Sequence, residues 1–318
     1  MSATDEVRRV LLVAHTARED IRDLAHEFCR SLTRHGLQVR LVTADARQLG
    51  LGADDVDPPV EVTDSATDAG RGCELAVVLG GDGTILRAAE LTRDSITPLL
   101  GVNLGHVGFL AEAEPEDAEL TIAAIVARRY TAEDRLTLDV TVYRDKELVA
   151  HTFALNEASV EKAARQRMIE VVVGVDGRPV SRWGCDGVVC ATPTGSTAYN
   201  FSAGGPIVWP GVDAMLIVPL SAHALFARPM VIAPGSVIVV ELLEHVDGTG
   251  VLWCDGRRMV DLPAGARIEV RRGATPVRLA RLDPAPFTDR LVAKFALPVQ
   301  GWRGAAEQRR RNRGGLDA

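Results

Sequence analysis

The sequence predicts an α/β domain followed by a mainly-β, sandwich-like domain. Three observations carry this expectation. Apolar runs and helical stripes alternate through the first 130 residues, short β-rich runs replace them after Arg135, and 318 residues are more than one core usually holds.

Val10 to Ala14 reads as the first strand. Glu19 to His35 places Ile21, Leu24, Ala25, Phe28 and Leu32 on one helical stripe, Gly36 stops it, and Gln38 to Thr43 reads as the second strand. Ala44 to Gly72 is polar and reads as a mobile connection. Leu75 to Leu79 has the unbroken apolarity of a central parallel strand, and Thr84 to Arg93 returns to helical spacing. Pro98 to Asn103 gives a further strand and Glu116 to Arg128 a further helix.

Beyond Arg135 the strand-like runs are Leu136 to Tyr143, Glu147 to Leu155, Met168 to Val175, Arg178 to Trp183, Gly187 to Ala191, Val237 to Leu243, Val251 to Trp253 and Arg267 to Arg272. Asp176-Gly177 and Asp247-Gly248 supply hairpin turn chemistry. Phe287 to Phe295 regains helical character after Pro286, and the Arg-rich stretch 303–318 reads as a disordered tail. The four tryptophans read as core or interface residues.

Hydrophobic residues make up 47% of the chain and charged ones 25%, as in soluble globular proteins. The formal charge of -7 argues against nucleic acid as a partner but leaves room for small anions held by local donors. Five cysteines with no Cys-x-x-Cys pair, a short polar start and no apolar run of membrane-spanning length predict a cytoplasmic protein without a membrane partner.

The most informative residues are Gly80-Gly81-Asp82-Gly83-Thr84, which fall between a predicted strand and a predicted helix. Glycines there let backbone approach a ligand, and the free N–H groups of the helix attract phosphate oxygens. Asp82 is out of place among phosphate-seeking amides unless it binds a metal or handles the proton of an attacking hydroxyl. The plain alternative is a tight turn with a solvated carboxylate.

A second constellation, Thr192-Pro193-Thr194-Gly195-Ser196-Thr197-Ala198-Tyr199, continues through Asn200-Phe201-Ser202 to Pro206. Its hydroxyls and amides suit phosphates and sugar hydroxyls, and Tyr199 offers a ring on which a base can stack; it can equally be a polar loop capping a helix. Asp186 either orients a ribose or nicotinamide group or closes a turn. Asn156-Glu157, at a strand end, either read an adenine edge or ribose hydroxyls or are turn residues.

Together these residues resemble the NAD kinase family, which phosphorylates NAD to NADP, and the texture is most similar to the actinobacterial members. The resemblance spans residues 8 to 300 and rests on Gly80 to Thr84, Asn156-Glu157, Asp186-Gly187, the Thr192 to Pro206 block and Arg228-Pro229. Lipid kinases share the first motif, and phosphofructokinases carry a similar one; the long block separates them. The resemblance implies an NAD kinase/diacylglycerol kinase-like fold: an α/β nucleotide-binding domain over 1–130, a β-rich NAD-binding domain over 131–275, and a segment over 276–300 that returns to the first.

It further implies that Asp82 is the catalytic group at the adenosine ribose 2′-hydroxyl, with Gly80, Gly81, Gly83 and Thr84 as the phosphate loop and Arg87 reaching the nucleotide. Asn156, Glu157, Arg167, Gly184, Asp186, Thr197, Ala198, Tyr199, Asn200, Phe201 and Ser202 are implied to line the NAD site. Gly184 departs from relatives that carry Arg there, which bears on discrimination between NAD and NADH. The donor is ATP or polyphosphate with Mg²⁺ or another divalent cation, for which no protein ligands are expected, and a homodimer or homotetramer is implied. A non-catalytic pyridine-nucleotide-binding regulator would share the pocket, and a lipid or sugar kinase only the first motif.

Overall fold

A computed structural model describes residues 7–51, 59–103, 108–111, 117–164, 168–244, 249–282 and 286–299. The first half forms β1 (Arg9–Ala14), α1 (Glu19–Arg34), β2 (Gln38–Val42), α2 (Thr43–Leu49), β3 (Glu61–Thr63), β4 (Leu75–Leu79), α3 (Asp82–Leu91), β5 (Leu99–Val102), α4 (Ala118–Val126) and β6 (Thr131–Arg135). The strands pair in the order β3-β2-β1-β4-β5, all parallel. Alternation along β1 explains the two-sided burial. Val10 and Leu12 face the cluster holding Phe28 of α1 and Ile122 of α4, whereas Leu11 and Val13 face the cluster holding Ile85 and Ala88 of α3.

The helical stripe expected on α1 is its buried set, with Cys29 added. The segment expected to be a mobile connection, Ala44 to Gly72, holds all of α2 but its first residue and all of β3, and α2 buries Asp45, Ala46 and Leu49. Polar composition concealed them because α2 presents only one narrow face to the sheet.

The second half comprises β7 (Leu138–Arg144), β8 (Glu147–Ala154), β9 (Glu157–Lys162), β10 (Ile169–Val175), β11 (Arg178–Cys185), β12 (Gly187–Ala191), a 3₁₀ turn (Thr194–Thr197), α5 (Tyr199–Ser202), β13 (Met215–Leu220), β14 (Met230–Ile232), β15 (Ile238–Leu242), β16 (Gly250–Cys254), β17 (Arg258–Leu262), β18 (Arg267–Arg272), β19 (Val277–Arg281) and α6 (Phe287–Phe295). Two six-stranded sheets result, ordered β11-β10-β15-β18-β7-β8 and β14-β13-β12-β9-β16-β17. Between them Val140, Val171, Val240 and Ile268 of one sheet meet Val160, Val188, Ile217 and Leu252 of the other in a single core, which makes the pair a sandwich.

The β10–β11 hairpin turns at Asp176 and Gly177, both with positive φ, as the Asp-Gly signal requires. Asp247-Gly248 lies outside the described residues. After the sandwich the chain re-enters the first sheet: β19 pairs with β5 in parallel and with β6 antiparallel.

Trp183 is the largest fully buried side chain of the sandwich core, and its indole N–H donates to the Phe226 carbonyl at 2.9 Å. Trp183→Ala is expected to lower unfolding stability by about 3–5 kcal/mol through lost burial and the cavity left behind. The shift of the urea midpoint measures this, and an unshifted midpoint would show that the core does not rest on that ring.

Candidate functional site

In the order β3-β2-β1-β4-β5 the chain reverses direction across the sheet between β1 and β4, and the carboxyl ends of those strands frame the crevice where open parallel sheets bind ligands. Gly80 leaves β4 at φ +151°, with the Thr84 hydroxyl in the space a side chain would need, so glycine is required there. Asp82 then opens α3. Its two carboxylate oxygens accept the backbone N–H groups of Phe109 and Leu110, each at 3.2 Å. Gly108 lies so close to this carboxylate that a β-carbon would overlap it.

His15, Arg18, Asn103 and Lys294 line the same cavity, about 260 Å³ in volume, as Gly80, Gly81 and Asp82. None of these four was singled out from the sequence. His15 follows β1 at the reversal point and was legible from strand order; Lys294 arrives from the far end of the chain and was not. Arg87, expected to reach the nucleotide, ion-pairs with the buried Asp45 at 2.5 Å and donates to the Ala14 carbonyl at 3.3 Å. It braces the end of β1 beside the cavity.

A second group assembles where β8 passes into β9. Asp255, buried at the β16–β17 turn, accepts the N–H of Leu155 at 3.0 Å and of Asn156 at 2.7 Å, while its own N–H donates to the Glu157 carbonyl at 2.9 Å. Arg258 donates to Asp255 at 2.7 Å and to Glu90 of α3 at 2.7 Å, and Arg257 adds a bond to Glu90 at 2.9 Å. Thr192 closes the arrangement: its N–H donates to the Asn156 carbonyl and its hydroxyl to the Leu155 carbonyl. Gly195 passes so near the Asn156 carbonyl that no side chain fits.

Glu157 is a strongly perturbed carboxyl of this group. Burial, aided by the nearby Asp255 charge, pushes it up to about 8 against a bond from the Tyr199 amide, so it is protonated at neutral pH. Its Oε2 is buried without a hydrogen-bond partner among the described residues. Burial likewise raises Asp255, opposed by the Leu155 N–H and by Arg258. The Tyr199 phenol is raised by burial and then by Glu161, Glu157 and Asp186, which places those carboxylates within electrostatic reach of its ring.

The remaining expected residues have varied surroundings. Asp186 ion-pairs with Lys162 at 2.5 Å, and Gly184 accepts the His223 N–H at 2.9 Å. Asn200 is fully buried, its amide donating to the carbonyls of Ser196 and Pro206, so it fastens the block from within. The Thr197 hydroxyl donates to the Thr194 carbonyl at 3.4 Å, while Ala198 and Ser202 bracket α5. Phe201 stacks on Phe295 of α6 with centroids 4.5 Å apart, and Phe295 meets Phe109 at 5.8 Å. Those rings join the block to the loop that holds Asp82. Arg167 lies outside the described residues.

A family model described as the ATP-NAD kinase N-terminal domain matches residues 10–130, and one described as the ATP-NAD kinase C-terminal domain matches residues 155–282. The chain is 59% identical over 306 residues to an NAD kinase of Thermobifida fusca, covering 95% of this chain and 93% of that protein. It is 58% identical over 301 residues to NAD kinase 2 of Streptomyces coelicolor, covering 95% and 98%. Among solved structures, yeast NADH kinase complexed with NADH superimposes with a TM-score of 0.83 at 24% identity, covering 94% of this chain and 90% of that one. An NAD kinase from Archaeoglobus fulgidus in complex with ATP gives 0.68 at 25% identity, covering 91% and 98%.

Two outcomes follow from the Glu157–Asp255 group. Asp255→Asn, which turns an amide toward two N–H donors and strands Arg258, is expected to cost about 3 kcal/mol in a urea melt; a cost near zero would remove Asp255 as the anchor. Glu157 holds its proton in the folded chain up to about 8 but releases it near 4.5 when unfolded, so its contribution to stability falls as pH rises through that window. Glu157→Gln should therefore flatten the decline of stability between those pH values, and an unaltered slope would mean that the carboxyl ionises freely.

Proposed function

The chain belongs to the NAD kinase family, and from that membership we propose that Asp82 aligns the 2′-hydroxyl of the adenosine ribose of NAD and takes its proton as the oxygen attacks the terminal phosphorus of ATP or polyphosphate. Its relatives are NAD kinases, and the chain is a phosphotransferase. The observation that carries the residue assignment is the grip on Asp82: two backbone N–H groups fix its carboxylate at the head of α3, beside glycines that admit phosphate and above the carboxyl ends of β1 and β4.

In this reading the new bond forms between the ribose oxygen and phosphorus, the bond to the leaving phosphate oxygen breaks, and the hydroxyl proton passes to Asp82. Such transfer needs positioning and charge neutralisation more than covalent chemistry. Arg18 and Lys294 are the cations that line the Asp82 cavity, and the N–H groups opening α3 add partial positive charge there. Asn156 and the protonated Glu157 would hold one end of NAD, the partnerless Glu157 oxygen meeting a ligand donor or hydroxyl. Tyr199, with Thr197, Ala198 and Ser202, would line the rest, joined by Asp186 and Gly184.

Among the described residues no three His, Cys, Asp or Glu side chains converge as a metal-ligand set. In this reading the divalent cation would come as part of the triphosphate substrate. We further propose a division near residues 130 and 275, supported by sheet membership, with Thr131–Arg135 and Val277–Arg281 counted to the first unit. A homodimer or homotetramer built through the β-rich half is supported by the exposed Leu225, Phe226 and Val231. A reducing, cytoplasmic setting is supported by five unpaired cysteines; no helix of the described residues is long and apolar enough to cross a membrane.

Asp82→Asn keeps the shape but removes the proton acceptor, and is expected to lower kcat about 10²- to 10⁴-fold while KM for NAD changes little. Steady-state formation of NADP from NAD, ATP and Mg²⁺ measures it. Retained turnover would take Asp82 out of this role.

A further inference from the structure

The Gly80 to Thr84 turn carries no lysine, and the first cation after it, Arg87, is committed to Asp45 and to the Ala14 carbonyl. Phosphoryl transfer nevertheless builds charge on the oxygens of the moving group, and a cation aimed at that charge is a main source of rate. Such a cation has to come from elsewhere in the fold. Arg18 and Lys294 are the described Arg and Lys side chains that line the Asp82 cavity. Arg18 donates to Asp20 at 2.5 Å, so its charge is already answered. Lys294 is exposed at the cavity wall and forms no ion pair with any described residue, Asp82 included. Carboxylate and ammonium thus share one space of about 260 Å³ without closing on each other, which leaves room for a reacting group between them.

The contacts that hold Asp82 also place Lys294. One turn earlier on α6, Arg290 donates to the Phe109 and Ala111 carbonyls at 3.2 and 3.0 Å, while Phe109 and Leu110 give their amides to Asp82. Phe295, the neighbour of Lys294, packs on Phe109 with centroids 5.8 Å apart. β19, which leads toward α6, pairs with β5, and Val102 at the end of β5 accepts the Gly80 N–H at 3.0 Å. The cation from the far end of the chain and the glycine turn are thereby tied to one strand. A lysine suits this place, because its compact charge on a flexible stem can follow a group that moves.

We propose that Lys294 is a catalytic residue of this chain, its ammonium contacting the oxygens of the terminal phosphoryl group as that group passes from the donor to the ribose oxygen. The inference rests on the reading that Asp82 meets the 2′-hydroxyl in this cavity. The ribose oxygen bonds to phosphorus, the bond from phosphorus to the bridging oxygen breaks with its electron pair leaving on that oxygen, and the hydroxyl proton goes to Asp82. Lys294 keeps its protons throughout and supplies charge alone.

Lys294→Met removes the charge and keeps the length of the stem. Steady-state formation of NADP from NAD, ATP and Mg²⁺ is expected to show kcat/KM for ATP lowered about 10²- to 10³-fold, the size of effect found when one donor to a developing oxyanion is lost. KM for NAD should stay within about twofold, since the acceptor side is untouched. Lys294→Arg is expected to recover at least about tenfold of the loss, which a helix merely displaced by the exchange would not do. Unaltered turnover in Lys294→Met, a loss that Lys294→Arg leaves unrecovered, or a change confined to KM for NAD overturns the proposal. Urea midpoints should match that of the unaltered chain, because Lys294 is exposed and α6 buries no residue fully; should Lys294→Met lower its midpoint, Lys294→Gln takes its place. Asp82→Asn measured alongside keeps the two readings apart. If it retains turnover while Lys294→Met loses it, the role of Asp82 falls and Lys294 still acts on the donor, whereas the opposite pattern removes Lys294 alone.

Discussion

The buried carboxylate of Asp255 is the constraint on which the two halves of this molecule converge. A carboxylate so deep survives only if its oxygens are answered, and here they are answered by the N–H groups of Leu155 and Asn156 and by Arg258. Leu155 packs in the same cluster as Ile85 and Leu86 of α3, and Arg258 continues to Glu90 on that helix. The sandwich turn therefore reaches the helix that Asp82 opens by two routes, one apolar and one charged. Since Asn156 and Glu157 follow directly on the tethered backbone, the same contacts that dock the sandwich also set their position relative to Asp82.

The grip on Asp82 follows the same logic at smaller scale. A carboxylate at a helix start is favoured by the helix dipole, but its orientation is fixed by partners from Phe109 and Leu110, beyond β5. The absence of a side chain at Gly108 lets that loop close on it, and Arg290 returns from α6 to fix the loop from its carbonyl side. The proposed role of Asp82 draws on this over-determination, because a base gains little from being merely nearby.

Much of the fold was legible because local signals were strong. Leu75–Leu79, Gly187–Ala191, Arg267–Arg272 and Phe287–Phe295 stand where apolar continuity, alternation and helical spacing put them. β6, with sequence Thr-Ala-Glu-Asp-Arg, escaped notice because it is a mostly exposed edge strand paired only to β19. β9 hid behind Asn156-Glu157, whose polarity suggests a turn, yet Glu157 begins a buried strand. β13, Met-Leu-Ile-Val-Pro-Leu, carries Pro219 inside its apolar run, and a proline there weakens the signal of a central strand. The site was legible as motifs but not as partnerships: Leu155 with Asp255, Arg87 with Asp45 and Asp82 with Phe109 join residues far apart in sequence, and only folding declares them.

The attachment of α6 gives the site its remaining degree of freedom. This helix buries none of its residues fully, and the ring contacts that seat it are Phe287 and Phe295 on Phe109, Phe295 on Phe201, and Phe287 on Trp209. Such pairs contribute about 0.5–1.5 kcal/mol each beyond burial, so the helix is held by a few kcal/mol rather than by a core. It nevertheless delivers Lys294 to the Asp82 cavity and, one turn earlier, Arg290 to the loop that grips Asp82. Phe201 sits two residues from Tyr199 in the block, while Phe295 is the neighbour of Lys294, so whatever orders the first ring also orders the second. The Thr192 to Pro206 block and the Asp82 cavity are thereby linked through one pair of phenylalanine rings, which ties the placement of Lys294 to the order of that block.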